Sequence, residues 1–331
     1  MAETAIIAKM AERVSDEIFL FFKWERRKSR DRNWECASPE LHKTKGKTHP
    51  SDVVFYYQHP YLGEDIYINT DLKSYSKTSI TKDAITKAVI SLSKATHCAN
   101  NSESFERKYI HTDDQYDVVG MLFVYNHCGD YDGEFSKILN GINHDDLMLD
   151  EYNRLYVLCP NKIKKLYDIT TDISSLIARN KLPKPKKYSF LYPDLVLTKN
   201  RLGDSEPATL ESLLSEMLII KHDYDEEENI NAGYVVYYSK DEPTVDDFIY
   251  LLDSFSHYQM FDKGRPIKIR YTRESSSELD LANVFESAVV KYSAIWGKKE
   301  QDLNKKVSFD IITKFSTSYS ESVLGMENEE D

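Results

Sequence analysis

HPSDVVFYYQHPYLGEDIYINTDLKSY, running from His49 to Tyr75, is the stretch on which the reading of this chain turns. Asp52 to Tyr57 is β-branched and aromatic, His59-Pro60-Tyr61-Leu62-Gly63 carries turn chemistry, and Ile66 to Leu72 returns to strand formers. The pattern predicts a β-hairpin. Successive side chains of a strand point to opposite faces, so Asp71 and Lys73 share a face while Leu72 takes the other. Asp52, at the outer end of the partner strand, reaches the same neighbourhood if the hairpin pairs in the right register, which sequence alone leaves open. Two carboxylates beside a lysine suit a hard divalent cation, Mg2+ or Mn2+, which takes its oxygen ligands from one or two carboxylates and a substrate phosphate.

Upstream, Ile6 to Arg27 predicts a helix, because Ile7, Met10, Ala11, Val14, Ile18 and Phe21 fall within a narrow arc of a 3.6-residue wheel. Glu17 sits at the border of that apolar stripe, whereas Glu12 and Asp16 lie on the far side. Two readings of Glu17 stand side by side: an acid that looks inward, and a surface partner of Arg13 four residues before it. From Lys23 to Lys47 the chain is basic, with Lys23, Arg26, Arg27, Lys28, Arg30, Arg32, Lys43, Lys45 and Lys47 against few acids. Alone, such a run is a solvated loop; beside two acids and a lysine, it fits a polyanionic substrate.

Asn33 to Cys36 reads as a short strand, and Lys77 to Ala99 as a helix with Ser79 or Thr81 as its cap and Ala84, Ile85, Ala88, Val89 and Leu92 as its stripe. Asn100 to Gln115 is polar and loop-like. Tyr116 to Tyr125 is the most strand-like run of the chain, continuous enough to be covered on both faces.

A helix with an inward acid, a hairpin bearing Asp52 and then Asp71-Leu72-Lys73, a helix and a buried strand resemble the core of the PD-(D/E)xK superfamily, the restriction-endonuclease-like nucleases. The resemblance covers roughly the first 130 residues. By position, Asp52 resembles the first metal-binding acid of that family, Asp71 the second, Lys73 the motif lysine, and Glu17 the helix acid that many members use as a further ligand. The chain departs from the pattern in two places: Ser51 separates Pro50 from Asp52, and the second acid is Asp where Glu is commoner. A second acid-x-Lys triplet, Glu106-Arg107-Lys108, lacks an apolar strand around it.

What the resemblance implies is an α/β fold with a mixed central sheet flanked by helices, and metal-dependent hydrolysis of phosphodiester bonds, in DNA rather than RNA and by an endonuclease rather than an exonuclease. Asp52, Asp71 and Glu17 then hold Mg2+ or Mn2+, and Lys73 orients the attacking water, helps deprotonate it, or stabilises developing negative charge. His49, Tyr75, Lys77, Arg27 and Lys47 are the neighbours expected to meet phosphate, although His49 also reads as a turn residue and Tyr75 as strand packing. A prokaryotic restriction or anti-phage effector is the setting implied; the alternative is an inactive chain that keeps the fold as a binding subunit of a multi-protein complex.

The chain's 331 residues, 41% hydrophobic and 12% aromatic, suit one large or two ordinary globular domains. A net charge of −12 argues against coating nucleic acid with the whole surface. No apolar run is long enough to span a bilayer and no signal pattern opens the chain, so a cytoplasmic protein without a membrane partner is expected. Cys36, Cys98, Cys128 and Cys159 are widely spaced and form no C-x-x-C pair; they read as reduced, packed thiols, since zinc ligands would have to converge from separate elements.

Beyond Asp132 the pattern continues with a helix near Gly133 to Gly141, a strand at Arg154 to Leu158 and helix around Thr171 to Arg179. Phe190 and its neighbours, with Leu195 to Thr198, read as a last edge strand of the first domain. A boundary near Arg201 to Pro207 gives a nuclease-like domain over 1–200 and an accessory α/β domain over 207–331 with an acidic tail. In the latter, Leu210 to Ile220 reads as a helix, and strands alternating with helices favour a largely parallel sheet. That domain is expected to contact a partner protein or a second copy of the chain.

Overall fold

The hairpin forms and lies at the centre of a five-stranded sheet. The computed structural model describes residues 2–28, 33–112, 114–149, 153–192, 206–261, 264–272 and 280–312. In chain order its first part contains α1 (Ala2–Phe21), β1 (Glu25–Arg26), β2 (Trp34–Glu35), α2 (Pro39–His42), β3 (Thr48–His49), β4 (Val53–Gln58), β5 (Asp65–Tyr75), α3 (Lys82–Ala99), α4 (Glu103–Tyr109), β6 (Tyr116–Asn126), α5 (Phe135–Asn140) and β7 (Leu155–Leu158). The sheet order is β1-β4-β5-β6-β7, and β2 and β3 form a small separate pair. β4 runs antiparallel to β5, while β5, β6 and β7 are parallel neighbours.

Helices α1 and α3 cover opposite faces of this sheet. On one side Phe19 of α1 sits 4.9 Å from Phe55 and 6.1 Å from Phe123, with Trp24 stacked on it at 4.3 Å. On the other, Ile85, Ala88, Val89 and Leu92 of α3 share a core with Leu122 and Val124, the alternate residues of β6. Thr81 caps α3 by accepting a hydrogen bond from the Ala84 N–H. Gly120 sets how closely α3 approaches: a Cβ there would come within 2.3 Å of Thr96 Oγ1 and 2.5 Å of Leu155 Cδ2.

The chain divides into two compact units, Met1–Tyr167 and Asp168–Phe315, and the division falls within helix α6 (Pro160–Ala178). The boundary read from sequence lies further on, and its residues 201–205, like Leu195 to Thr198, fall outside the described residues. The second unit holds β8 (Tyr188–Phe190), α7 (Leu210–Leu214), β9 (Met217–His222), β10 (Gly233–Tyr238), α8 (Val245–His257), β11 (Ile267–Tyr271), α9 (Leu281–Trp296), α10 (Glu300–Lys306) and β12 (Val307–Ile311), with sheet order β12-β11-β10-β9-β8. Buried Asp172 fastens α6 to this sheet, accepting from Tyr237 Oη and Arg270 Nε, each at 3.0 Å.

Several expectations change. The first helix ends at Phe21 rather than Arg27, because the chain turns at Lys23, which has positive φ, to add edge strand β1. Asn100 to Gln115 contains helix α4, capped by Ser102. Leu210 to Ile220 splits into a short helix and strand β9, whose apolar run MLII is too short for periodicity to separate helix from strand. β8 pairs with β9 in the second sheet instead of edging the first, and that sheet is mixed, with β8, β9 and β10 antiparallel. Gly120→Ala should lower stability by about 1–3 kcal/mol through overpacking. The check is a urea midpoint that falls at unchanged m-value; an unshifted midpoint contradicts the close approach of α3.

Candidate active site

Register decides whether the two acids meet. Val53 pairs with Thr70, and one step outward this places Asp52 opposite Asp71. Asp52 Oδ2 accepts the Leu72 N–H at 2.7 Å, which fixes its carboxyl against β5. Lys73 Nζ forms an ion pair with Asp71 Oδ1. In register with β6, Asp71 lies beside Leu122 and Lys73 beside Val124, so both point to the α3 face at the C-terminal end of β5. The three side chains read from sequence as a site are thus brought together.

Their electrostatics are unbalanced. Burial first, and then the neighbouring Asp71 charge, push the Asp52 carboxyl up to about 7, against the pull of the Leu72 N–H and Lys73. Burial on its own would lower Lys73, but Asp71 and Asp52 outweigh it and hold the ammonium above its ordinary value. Two half-buried carboxyls facing one ammonium leave an excess of negative charge that a divalent cation relieves. The donor set fits such an ion, since carboxylate oxygens are the ligands a hard divalent cation takes.

The other expected residues go elsewhere. Glu17 belongs to α1, over the opposite face of the sheet, and takes Arg13 Nε at 3.1 Å. Pleat alternation separates it from Asp71 and Lys73, so the structure realises the ion-pair reading of this acid. Lys77 pairs with Asp132 at 2.8 Å, and Tyr75 packs beside the core under α3. Arg27 lies over the Tyr56 ring, 5.3 Å from its centroid. Lys47 is exposed, as are Lys28 and Lys43, while Arg26 is taken up by Asp16 and Glu12; Arg30 and Arg32 fall outside the described residues. The second acid-x-Lys triplet lies on helix α4, where residues two apart do not share a face.

His49 is the clearest correction. It is 2% exposed and points not toward a phosphate but into a buried group with Cys36, His42 and Cys98. The widely spaced cysteines do converge: Cys36 and Cys98 Sγ are 3.7 Å apart, both as free thiols. Spacing hid this because three of the four residues come from the excursion between β2 and β3 and the fourth from α3; the available signal was Cys36, His42 and His49 within one short segment. Among the described residues, it is the one group of three or more such side chains whose ligating atoms all lie within 4.8 Å of one another.

A mixed sheet between two helices, with an acid at the start of one hairpin strand and acid-x-Lys at the end of the next, defines a restriction-endonuclease-like nuclease core. Residues 1–162 match the family described as the GAPS4 protein PD-(D/E)XK nuclease domain, and the N-terminal part of the chain is a PD-(D/E)XK nuclease domain. The match ends inside α6, just before the first unit ends at Tyr167. No curated protein and no solved structure matches the chain.

The raised Asp52 carboxyl has a thermodynamic consequence. An acid whose folded-state value is raised stabilises the fold only while protonated. Without added divalent ions, the Asp52 contribution is therefore greatest below 3.8 and is lost as pH rises toward about 7. Asp52→Asn should gain melting temperature relative to wild type by a few degrees between about pH 5 and about pH 8. Adding Mg2+ at the higher pH should stabilise wild type and not the variant. Calorimetric scans in which the difference does not change with pH contradict the assignment.

Proposed function

We propose that the nuclease domain cleaves DNA as a Mg2+- or Mn2+-dependent endonuclease, with Asp52, Asp71 and Lys73 as its working residues, and that the chain is a prokaryotic restriction or anti-phage effector. The observation that carries this reading is the juxtaposition of the three side chains at the C-terminal end of β5. A divalent cation held by Asp52 and Asp71 would supply charge neutralisation at the phosphate and lower the pKa of water for attack.

The chain's own residues do the rest. The Leu72 N–H orients the Asp52 carboxylate, and loss of the Asp52 proton readies it as a ligand. Asp71 stands between Asp52 and Lys73 and positions both. Lys73, held protonated by its acidic neighbours, acts as a cationic donor: it orients water and stabilises negative charge developing on the phosphoryl oxygens, rather than removing a proton. Exposed Lys28, Lys43 and Lys47, from the basic segment before the hairpin, supply backbone contacts to a polyanion. Glu17 is given no ligand role.

The test uses the purified full chain on plasmid, linear and single-stranded DNA and on RNA, with Mg2+, Mn2+ or EDTA. Cleavage of plasmid to nicked or linear products is expected with either ion and none with EDTA. Asp71→Ala and Lys73→Ala should each reduce the rate by about 100-fold or more. Cleavage untouched by either substitution overturns the assignment. In cells, loss of protection against phage on Asp71→Ala supports the defence setting, and undiminished protection removes the nuclease from it.

A further inference from the structure

We propose that Cys36, His42, His49 and Cys98 form a closed structural Zn2+ site, separate from the Asp52–Asp71 pair. Three ligands come from the short excursion β2–α2–β3: Cys36 follows β2, His42 ends α2 and His49 ends β3. The fourth, Cys98, lies in the last turn of α3. Their exposures are 8%, 1%, 2% and 1%, so no solvent competes for the ligating atoms.

All four ligating atoms lie within 4.8 Å of one another, and four of the six distances among them compare closely with a coordination shell. Cys36 Sγ lies 3.7 Å from Cys98 Sγ, and His42 Nδ1 lies 3.3 Å from His49 Nε2. With Zn–S of about 2.3 Å and Zn–N of about 2.0–2.1 Å, a tetrahedron has edges of about 3.8 Å for S···S and about 3.3 Å for N···N. The mixed edges from Cys36 Sγ, 3.1 Å to His42 Nδ1 and 3.2 Å to His49 Nε2, are a few tenths of an ångström shorter than the same geometry requires and open when an ion enters. Thiol–imidazole hydrogen bonds account for these pairs singly; they do not account for four ligating atoms from separate elements gathered within 4.8 Å of one another.

Outer contacts match what such a site needs. His42 turns its other nitrogen, Nε2, toward His97 Nδ1 at 3.1 Å, and with the proton on Nε2 donated there, Nδ1 would be the nitrogen that binds the ion. The Ala37 N–H donates to Cys98 Sγ at 3.1 Å, a contact that stabilises a thiolate. Binding would displace the two thiol protons and leave a neutral centre of two thiolates and two neutral imidazoles around one Zn2+. With all four positions filled by protein, the ion has no place for substrate, and its work is structural.

The site lies three residues before Asp52. His49 leads through Pro50 to Ser51, whose hydroxyl accepts from Trp34 Nε1 at 2.9 Å and donates to Asn69 Oδ1 at 2.6 Å. The ion would pin the β2–β3 excursion to α3 and, with it, the segment that delivers Asp52 to β5.

The experiment measures metal in the full chain purified without chelator. About one zinc per chain is expected after gel filtration. Exchange with Co2+ should give the intense visible bands of a four-coordinate ion with thiolate charge transfer, a readout on wild type that does not depend on any variant folding. His42→Ala and Cys98→Ser should lose most of the zinc, whereas Cys128→Ser, which alters an exposed thiol, should keep it. Asp71→Ala should also keep it, which separates this site from the nuclease reading. A folded, zinc-free wild type that gives no such cobalt spectrum, or retention of zinc by His42→Ala and Cys98→Ser, overturns the proposal.

Discussion

Everything at the candidate site depends on the pairing of β4 with β5. Val53 against Thr70 puts Asp52 across from Asp71, and the pleat puts Lys73 on the same side. A slip of one residue would send Asp71 and Lys73 to the face covered by α1 and leave Leu72 among the acids. The register is held from several sides. Phe55 is clasped by Phe19 and Trp24, Tyr56 stacks on Tyr67 at 5.4 Å, and β6 matches β5 along its full length.

That well-specified scaffold supports a locally unfavourable arrangement. Two half-buried acids face each other beside one lysine, and burial first, then the Asp71 charge, raises the Asp52 carboxyl to about 7. Groups placed this way are poor contributors to stability and are suited to bind a divalent cation, as the proposed site requires. The surrounding apolar packing offsets the local cost, with Leu122 and Val124 fully buried beneath α3.

Much of this was legible in the sequence for physical reasons. Turn chemistry at His59–Gly63 and alternation in Ile66–Leu72 marked the hairpin, and the Ala84–Leu92 stripe marked α3. What was not legible depended on contacts distant in sequence. Alternation places Asp71 and Lys73 on one face but cannot say that Glu17 approaches the sheet from the other. A short apolar run such as Met217 to Ile220 fits helix or strand until β10 pairs with it. The Cys36–His42–His49–Cys98 group needed α3 to fold back over the β2–β3 excursion before any ligand spacing could appear.

The proposed joint hold of Asp52 and Asp71 on a hard cation is tested by Mn2+ binding, measured by calorimetry and electron paramagnetic resonance. Mn2+ favours carboxylate oxygen over the thiolate and imidazole of the Cys/His group, so the two sites are distinguishable. Wild type is predicted to bind Mn2+ with affinity that rises with pH through about 7, as the Asp52 proton is displaced, and Asp52→Asn and Asp71→Asn should each lose most of that binding. Equal Mn2+ affinity in wild type and both variants would contradict a cation held between Asp52 and Asp71.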